Sequence, residues 1–255
     1  MSNILAIAQK ELKSYFASPI AYIVIGMFAV MFGFFFYSLL VFFDRQSMQM
    51  AGMGGPQAVN INDQLIRPVF LNTTVINLFL LPMITMRTYS EEKRSGTIEL
   101  LLTSPLTDFQ IIMGKFLGAM GLYAAMLAVT LVHIGTLFAF GNPEVLPIVT
   151  AYLGLLLMGG CFISLGLLIS SLTKNQIVAG VGTFAAGMML WVINWLGDNA
   201  SPNTAAVLSY LSITEHFDDF AKGVLDTKHF AYYLSFIAFS LFLTSKSVDT
   251  ERWKG

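Results

Sequence analysis

The chain reads as an all-α integral membrane protein: six transmembrane helices, an N-terminal interfacial helix, a helix in a cytoplasmic loop and an external amphipathic helix. Three observations lead there. Hydrophobic residues make up 56% of the 255 residues and charged ones only 11%, with mean hydropathy +0.70. Soluble domains carry about a quarter charged residues, so too little polar surface exists to cover a globule of this size. Six segments reach or approach the roughly 20 apolar residues of one bilayer crossing, and their apolar cores contain no Asp, Glu, Lys or Arg.

Residues 1–19 come first. Ile4, Leu5, Ala8, Leu12, Tyr15 and Phe16 share one helical face, with Gln9, Lys10 and Lys13 elsewhere. That suits a helix lying in the membrane interface, ended by Ser18-Pro19. The first span, 20–43, is too long and begins too late for a signal peptide, and no small-residue cleavage site follows it. Its phenylalanines (Phe28, Phe32, Phe35, Phe36, Phe42, Phe43) suit lipid or a partner copy. A flexible, glycine-rich stretch, MAGMGGP, follows.

The second span, 68–86, holds Asn72, Thr73, Thr74, Asn77 and Pro82. This cluster reads either as a pathway lining or bend, or as interhelical hydrogen bonding, which carries only about 0.6 kcal/mol per contact; the second reading is favoured. The third, fourth and fifth spans are 116–140, 145–172 and 177–197. Small residues recur four apart at Gly114/Gly118, Gly166/Ser170 and Ala179/Thr183/Gly187. Such faces let helices approach closely, so these spans are expected to pack inside the protomer. His133 is the one histidine well inside a span, and a hydrogen bond to a neighbouring helix is expected of it rather than a haem.

Segment 198–228 carries Ser201 before Pro202, an N-cap with proline at the first helical position. Ser212 and Glu215 form a capping-box pattern, and Phe217, Phe220, Ala221, Val224 and Leu225 follow at helical spacing. One amphipathic helix is expected, against the membrane surface or the tops of the spans. Glu215, His216 and Phe217 read as a gate or partner contact, or more simply as a cap with His216 on a wet face. The sixth span, 230–245, is short and bracketed by Lys228 and Lys246, which can snorkel to the interfaces.

Ten of the fourteen Lys and Arg fall on the side of the termini, among them Lys10, Arg87, Lys93, Lys115 and Lys254. By the positive-inside rule the termini and loop 87–115 are cytoplasmic. That loop places Ile98, Leu101 and Leu102 at i, i+3, i+4 beside a charged surface of Glu91, Glu92, Lys93, Arg94 and Glu99. Ser104-Pro105 breaks it, and Thr107 with Gln110 forms a capping box opening the next helix. The result is helix, break, helix at the membrane boundary, either anchoring the loop or offering a docking face.

Chemistry of its own is not in view. No phosphate loop of the Gly-x-x-x-x-Gly-Lys-Ser/Thr kind, no His-Glu-x-x-His and no Gly-x-Ser-x-Gly occurs, so catalytic and metal-binding residues are not expected. The lone Cys161 forms no intrachain disulfide. The net charge of −1 carries no nucleic-acid signature. Proton- and ion-coupled carriers usually place ionisable groups at depth; these spans do not, which favours energy supplied from outside the membrane.

The stretch EEKRSGTIELLLTSPLTDFQIIMGK resembles the cytoplasmic loop of ABC-2 type exporter permeases, through Glu91, Glu92, Gly96, Thr97, Ile98, Glu99, Leu100, Leu101, Leu102, Pro105, Gly114 and Lys115. KELKSYFASPIAY is similar to that family at Lys10, Glu11, Phe16, Ser18 and Pro19, while TKNQIVA and LSYLSITEHFDDFAKGVLD look like its gliding-motility-type branch. The resemblance implies that 1–255 is one transmembrane domain in the bacterial inner membrane, paired with a second copy or a homologous permease. It implies two ATPase subunits that hold ATP and magnesium, so that this chain binds no cofactor. ATPase coupling would fall to Lys10, Glu11, Glu91, Glu92, Gly96, Thr97, Ile98, Glu99, Leu100, Leu101 and Pro105. The branch is also associated with a membrane partner bearing a large periplasmic region. The expected function is a permease coupling ATP hydrolysis to export or force transmission. The alternative is a non-transporting scaffold that recruits cytoplasmic and periplasmic partners.

Overall fold

The computed structural model describes residues 3–52, 60–99, 105–199 and 201–252. The expected Gly-rich stretch around 53–56, Leu100, Leu101, Leu102, Ser104 and Lys254 lie outside them. Ten α-helices follow one another among the described residues: α1 Asn3–Ala17, α2 Pro19–Gly52, α3 Arg67–Thr85, α4 Ser90–Ser95, α5 Asp108–Phe140, α6 Val145–Leu172, α7 Gln176–Val192, α8 Pro202–Leu211, α9 Ile213–Ala221 and α10 Thr227–Arg252. A π-helical turn, Asn62–Ile66, leads into α3, and a 3-10 segment, Ile193–Asn199, follows α7. No strand occurs among the described residues. Six stretches are long and apolar enough to cross a membrane: α2, the segment from Asn62 through α4, α5, α6, α7 with its 3-10 extension, and α10. The protein is a multi-pass membrane protein.

Helix starts follow local chemistry. Thr107 and Gln110 form a complete capping box ahead of α5. The Asn175 side chain accepts from the amides of Ile177 and Val178 at the start of α7. Each bond satisfies donors that a helix N-terminus leaves open.

The core sits around α3 and α6. Helix α6 touches α3, α5, α7, α9 and α10. Its glycines make this possible: a methyl group at Gly166 would collide with Thr85 of α3, and one at Gly154 with Phe217 and Phe220 of α9. Span one turns three phenylalanines inward, Phe28, Phe32 and Phe36, while Phe34 and Phe42 face out.

Several expectations need correction. The fifth span packs inward through its expected small-residue face but lies at the edge of the protomer. Only its stripe of Ala179, Thr183 and Gly187 is buried, because larger residues on both sides, including Val178, Val181 and Met189, face outward. Gly114 and Gly118 do not join two spans: side chains there would strike Ile7 and Glu11 of α1. Helix α1 therefore buries Ile7 and leaves Leu5 exposed. The sixth span is not short. Helix α10 runs to Arg252, and Glu251 near its end is held by Lys93 at 2.7 Å. His133 makes no hydrogen bond from Nδ1 among the described residues. Its ring instead meets Phe32 and Phe36 edge-on at 5.4 and 5.3 Å, over Gly33.

The single amphipathic helix expected after 198 is two helices, pivoting at Ser212. Pro202 opens α8 as expected, although the Ser201 hydroxyl meets Thr204 rather than a backbone amide. Gly223, at φ +88°, ends α9 and leaves Val224 and Leu225 exposed beyond it. Helix α9 lies against the end of α6, where Thr150 Oγ1 donates to Phe220 O at 2.7 Å.

Candidate functional site

The bundle end where α1 lies and α10 finishes holds a charged platform built from α1, α4 and the first turns of α5. Lys115 is its centre. The residue is only 1% exposed. Its ammonium lies 2.7 Å from Glu92 Oε1, 3.2 Å from Glu11 Oε1 and 3.0 Å from Thr88 O, with the Tyr89 ring 5.1 Å away. All three N–H donors of a lysine are thereby used. One cation binds acids from two different helices in a setting where losing it would strand buried charge, a costly event.

Two further pairs extend the platform. Arg87 grips Glu91 with Nε and Nη2 at 2.7 and 3.0 Å, a charge-assisted fork. Lys93 is 7% exposed and reaches Glu251, tying α4 to α10. The acidic run is thus not a uniformly solvated face. Lys93 and Glu92 turn inward, and Arg94 stays exposed.

Between α1 and α4 lies a cleft of about 310 Å³ lined by Lys10, Glu11, Tyr15, Arg87, Glu91, Glu92 and Thr97 among others. Tyr15 donates to Ile84 O at 3.3 Å and meets the Thr88 hydroxyl. Burial pushes its phenol up to about 12, so it stays a neutral hydrogen-bonding group. Gly96, at φ +73°, ends α4 in the left-handed region, which suits glycine. Thr97 bonds Ser95, and Ile98 is buried. Glu99 and Pro105 are exposed and outside the cleft lining. Leu100 and Leu101 lie outside the described residues.

A buried hydroxyl links this platform to the core. The chain breaks helical form between Thr85 and Ser90, just after Pro82, which lacks an N–H. Ser170 of α6 accepts from the amides of Tyr89 and Ser90 and donates to Met86 O, each at 3.1 Å. Sequence reasoning singled out Ser170 only as a small residue. Lys115 entered through the Gly-Lys ending of a motif, not as a site residue. The surplus of acids around it was the available signal.

The span-two polar residues mostly serve their own helix. Asn72 donates to Pro68 O and Thr73 to Val69 O. Asn77 reaches further, donating to Tyr123 Oη at 2.7 Å, and Tyr123 donates on to Leu155 O. Trp191 donates to Thr74.

At the opposite end, Arg67 holds Asp218 with Nε and Nη2 at 3.0 and 2.6 Å. The expected Ser212–Glu215 capping box is absent: Ser212 meets Thr214, and Glu215 accepts from Asn194. His216 is not on a wet face. It is 4% exposed, stacked on Tyr232 at 3.9 Å, because its side of α9 turns toward α10. Phe217 is fully buried beside it.

Six apolar crossings with a buried charged platform at one end define a multi-pass membrane protein. Residues 56–214 match the family model described as ABC-2 family transporter protein, and the chain belongs to that family. Two Escherichia coli proteins, from strain K12 and from O157:H7, carry the name "Probable multidrug ABC transporter permease YbhR". Each is 28% identical over 144 residues, 56% of this chain. The match spans only 39% of those relatives' own length. The narrower gliding-motility-type branch draws no support from these matches.

Proposed function

We infer that this chain is the membrane subunit of an ATP-driven exporter, and that it couples ATP hydrolysis by separate subunits to movement of a substrate across the bacterial inner membrane. The Lys115 node carries this reading. A push on α1 or α4 reaches the same buried ammonium, and through it α5; Lys93 passes it to α10. In this reading the platform and both termini face the cytoplasm, as the excess of Lys and Arg there favours. Two permease copies meet two ATPases, which hold all the ATP and magnesium, and residues 1–255 move as one transmembrane domain. The chain itself makes and breaks no covalent bond. The multidrug name of its relatives, together with spans lacking charge at depth, supports an amphipathic or apolar cargo.

The test is reconstitution with the cognate ATPase. Glu92→Gln and Gly96→Pro are expected to leave membrane insertion intact and to separate ATP turnover from transport. Full coupled activity in both would reduce the platform to an anchor. Gentle extraction that never yields a stoichiometric ATPase would instead favour a non-transporting scaffold.

A further inference from the structure

At the bundle end away from the termini, three ionisable side chains form a chain of short contacts that coupling does not use. Asp219 Oδ2 lies 2.8 Å from His229 Nε2. His229 Nδ1 lies 2.7 Å from His216 Nδ1. His216 Nε2 lies 2.9 Å from Tyr210 O. Both histidines are buried. The line runs from α8 through α9 to the first turn of α10.

Proton counting constrains it. A carbonyl oxygen only accepts, so His216 Nε2 carries a hydrogen. Its Nδ1 in the neutral ring then accepts, and His229 Nδ1 must donate. An ionised Asp219 accepts from His229 Nε2–H. Meeting all three contacts therefore takes three N–H hydrogens on two rings, one more than two neutral imidazoles hold. We propose that Asp219, His229 and His216 form a proton-binding site whose extra proton, held on His229, latches α8 and α9 to α10.

The surrounding charges agree. From α9, Asp218 is occupied by Arg67 and Lys222, and Glu215 by Asn194. Lys222 and Lys228 stand 3.8 and 4.0 Å from Asp219, which leaves that carboxylate as the anion beside His229. From α10, Tyr232 and Tyr233 use their hydroxyls on Leu211 O and Ile213 O and face the rings with neutral π surfaces. Burial, and then the neighbouring His229, hold the His216 imidazole below its ordinary value, so His216 is the ring that stays neutral. A cleft of about 380 Å³, lined by both histidines, Asp219 and Lys228, opens the site to solvent. Without the extra proton, two nitrogen lone pairs would face each other across 2.7 Å, and the latch would part.

The chain has only three histidines, so ¹⁵N-histidine spectra of the full chain in nanodiscs can be assigned by single substitutions. At neutral pH one ring, lost in His229→Gln, is expected with both nitrogens protonated, and a second, lost in His216→Asn, with Nε2 alone protonated. Raising the pH should remove one proton. At that same pH, amide exchange across 213–221, corrected for base catalysis, should accelerate several-fold. Asp219→Asn is the discriminating variant. Its amide can donate to His229 Nε2, so every contact is met with two ring hydrogens, and protection should persist without pH dependence. Two neutral rings in the wild-type chain at neutral pH, or wild-type pH dependence in Asp219→Asn, would overturn the proposal.

Discussion

Replacing Ser170 by alanine removes one hydroxyl and strands two backbone amides, those of Tyr89 and Ser90, while the Met86 carbonyl keeps the Ser90 hydroxyl. Each buried group left unpaired costs about 1–3 kcal/mol. Ser170→Ala is therefore expected to lower the thermal midpoint in detergent far more than Ser171→Ala, whose hydroxyl meets only Leu168 O and Ser247. A pair of equal midpoints would contradict this account. Single residues are also where the sequence was hardest to read. Glu11 and Lys115 stand 104 positions apart, and no local pattern says that they meet. Nor could periodicity place His216, since the wet side of an isolated amphipathic helix becomes the inside once another helix covers it.

Helix α1 shows the same at the scale of an element. Its apolar stripe was legible, but Ile7 was missed and the seat of Glu11 against α5 was not foreseen, because the surface α1 covers is a pair of glycines on α5, and glycine leaves no hydropathy signal. Gly118→Leu would thrust a side chain into Glu11 and the backbone at Ala8. Overpacking of this kind costs about 1–3 kcal/mol, and the expected result is release of α1, read as faster tryptic cleavage at Lys10 and Lys13. Helix α9 has its own acid dependence. Burial pushes the Asp218 carboxyl up, but the bonds from Lys222 and Arg67 outweigh it and hold the group below the ordinary carboxylate range. A depressed folded value contributes stability above the unfolded value, near 3.9, and that stability is lost as pH falls through the folded one. Arg67→Gln should blunt the loss of stability on acidification; an unchanged acid profile would show that the pair contributes nothing.

For the whole molecule, composition and the six apolar runs were enough for the class, because lipid permits few backbone solutions. Which helices form the centre was not legible: the outlying α2 is as apolar as the central α6 and more apolar than the central α3, so small residues and shape decide. Topology remains checkable from outside. Cys161 is buried, so single cysteines placed at Arg94 and Val224, both exposed, report cleanly. Impermeant reagents are expected to label them from opposite faces of sealed vesicles, and labelling from one face would break the six-crossing arrangement.

Helix α2 spans 34 residues without interruption, about 51 Å at 1.5 Å per residue, against a hydrocarbon layer of about 30 Å. Its apolar run ends at Phe43, yet the helix continues for nine more residues from Asp44, about 13 Å of rod. The rim of this subunit is therefore not level. Anything approaching the bundle from that side meets a standing post before it meets the floor.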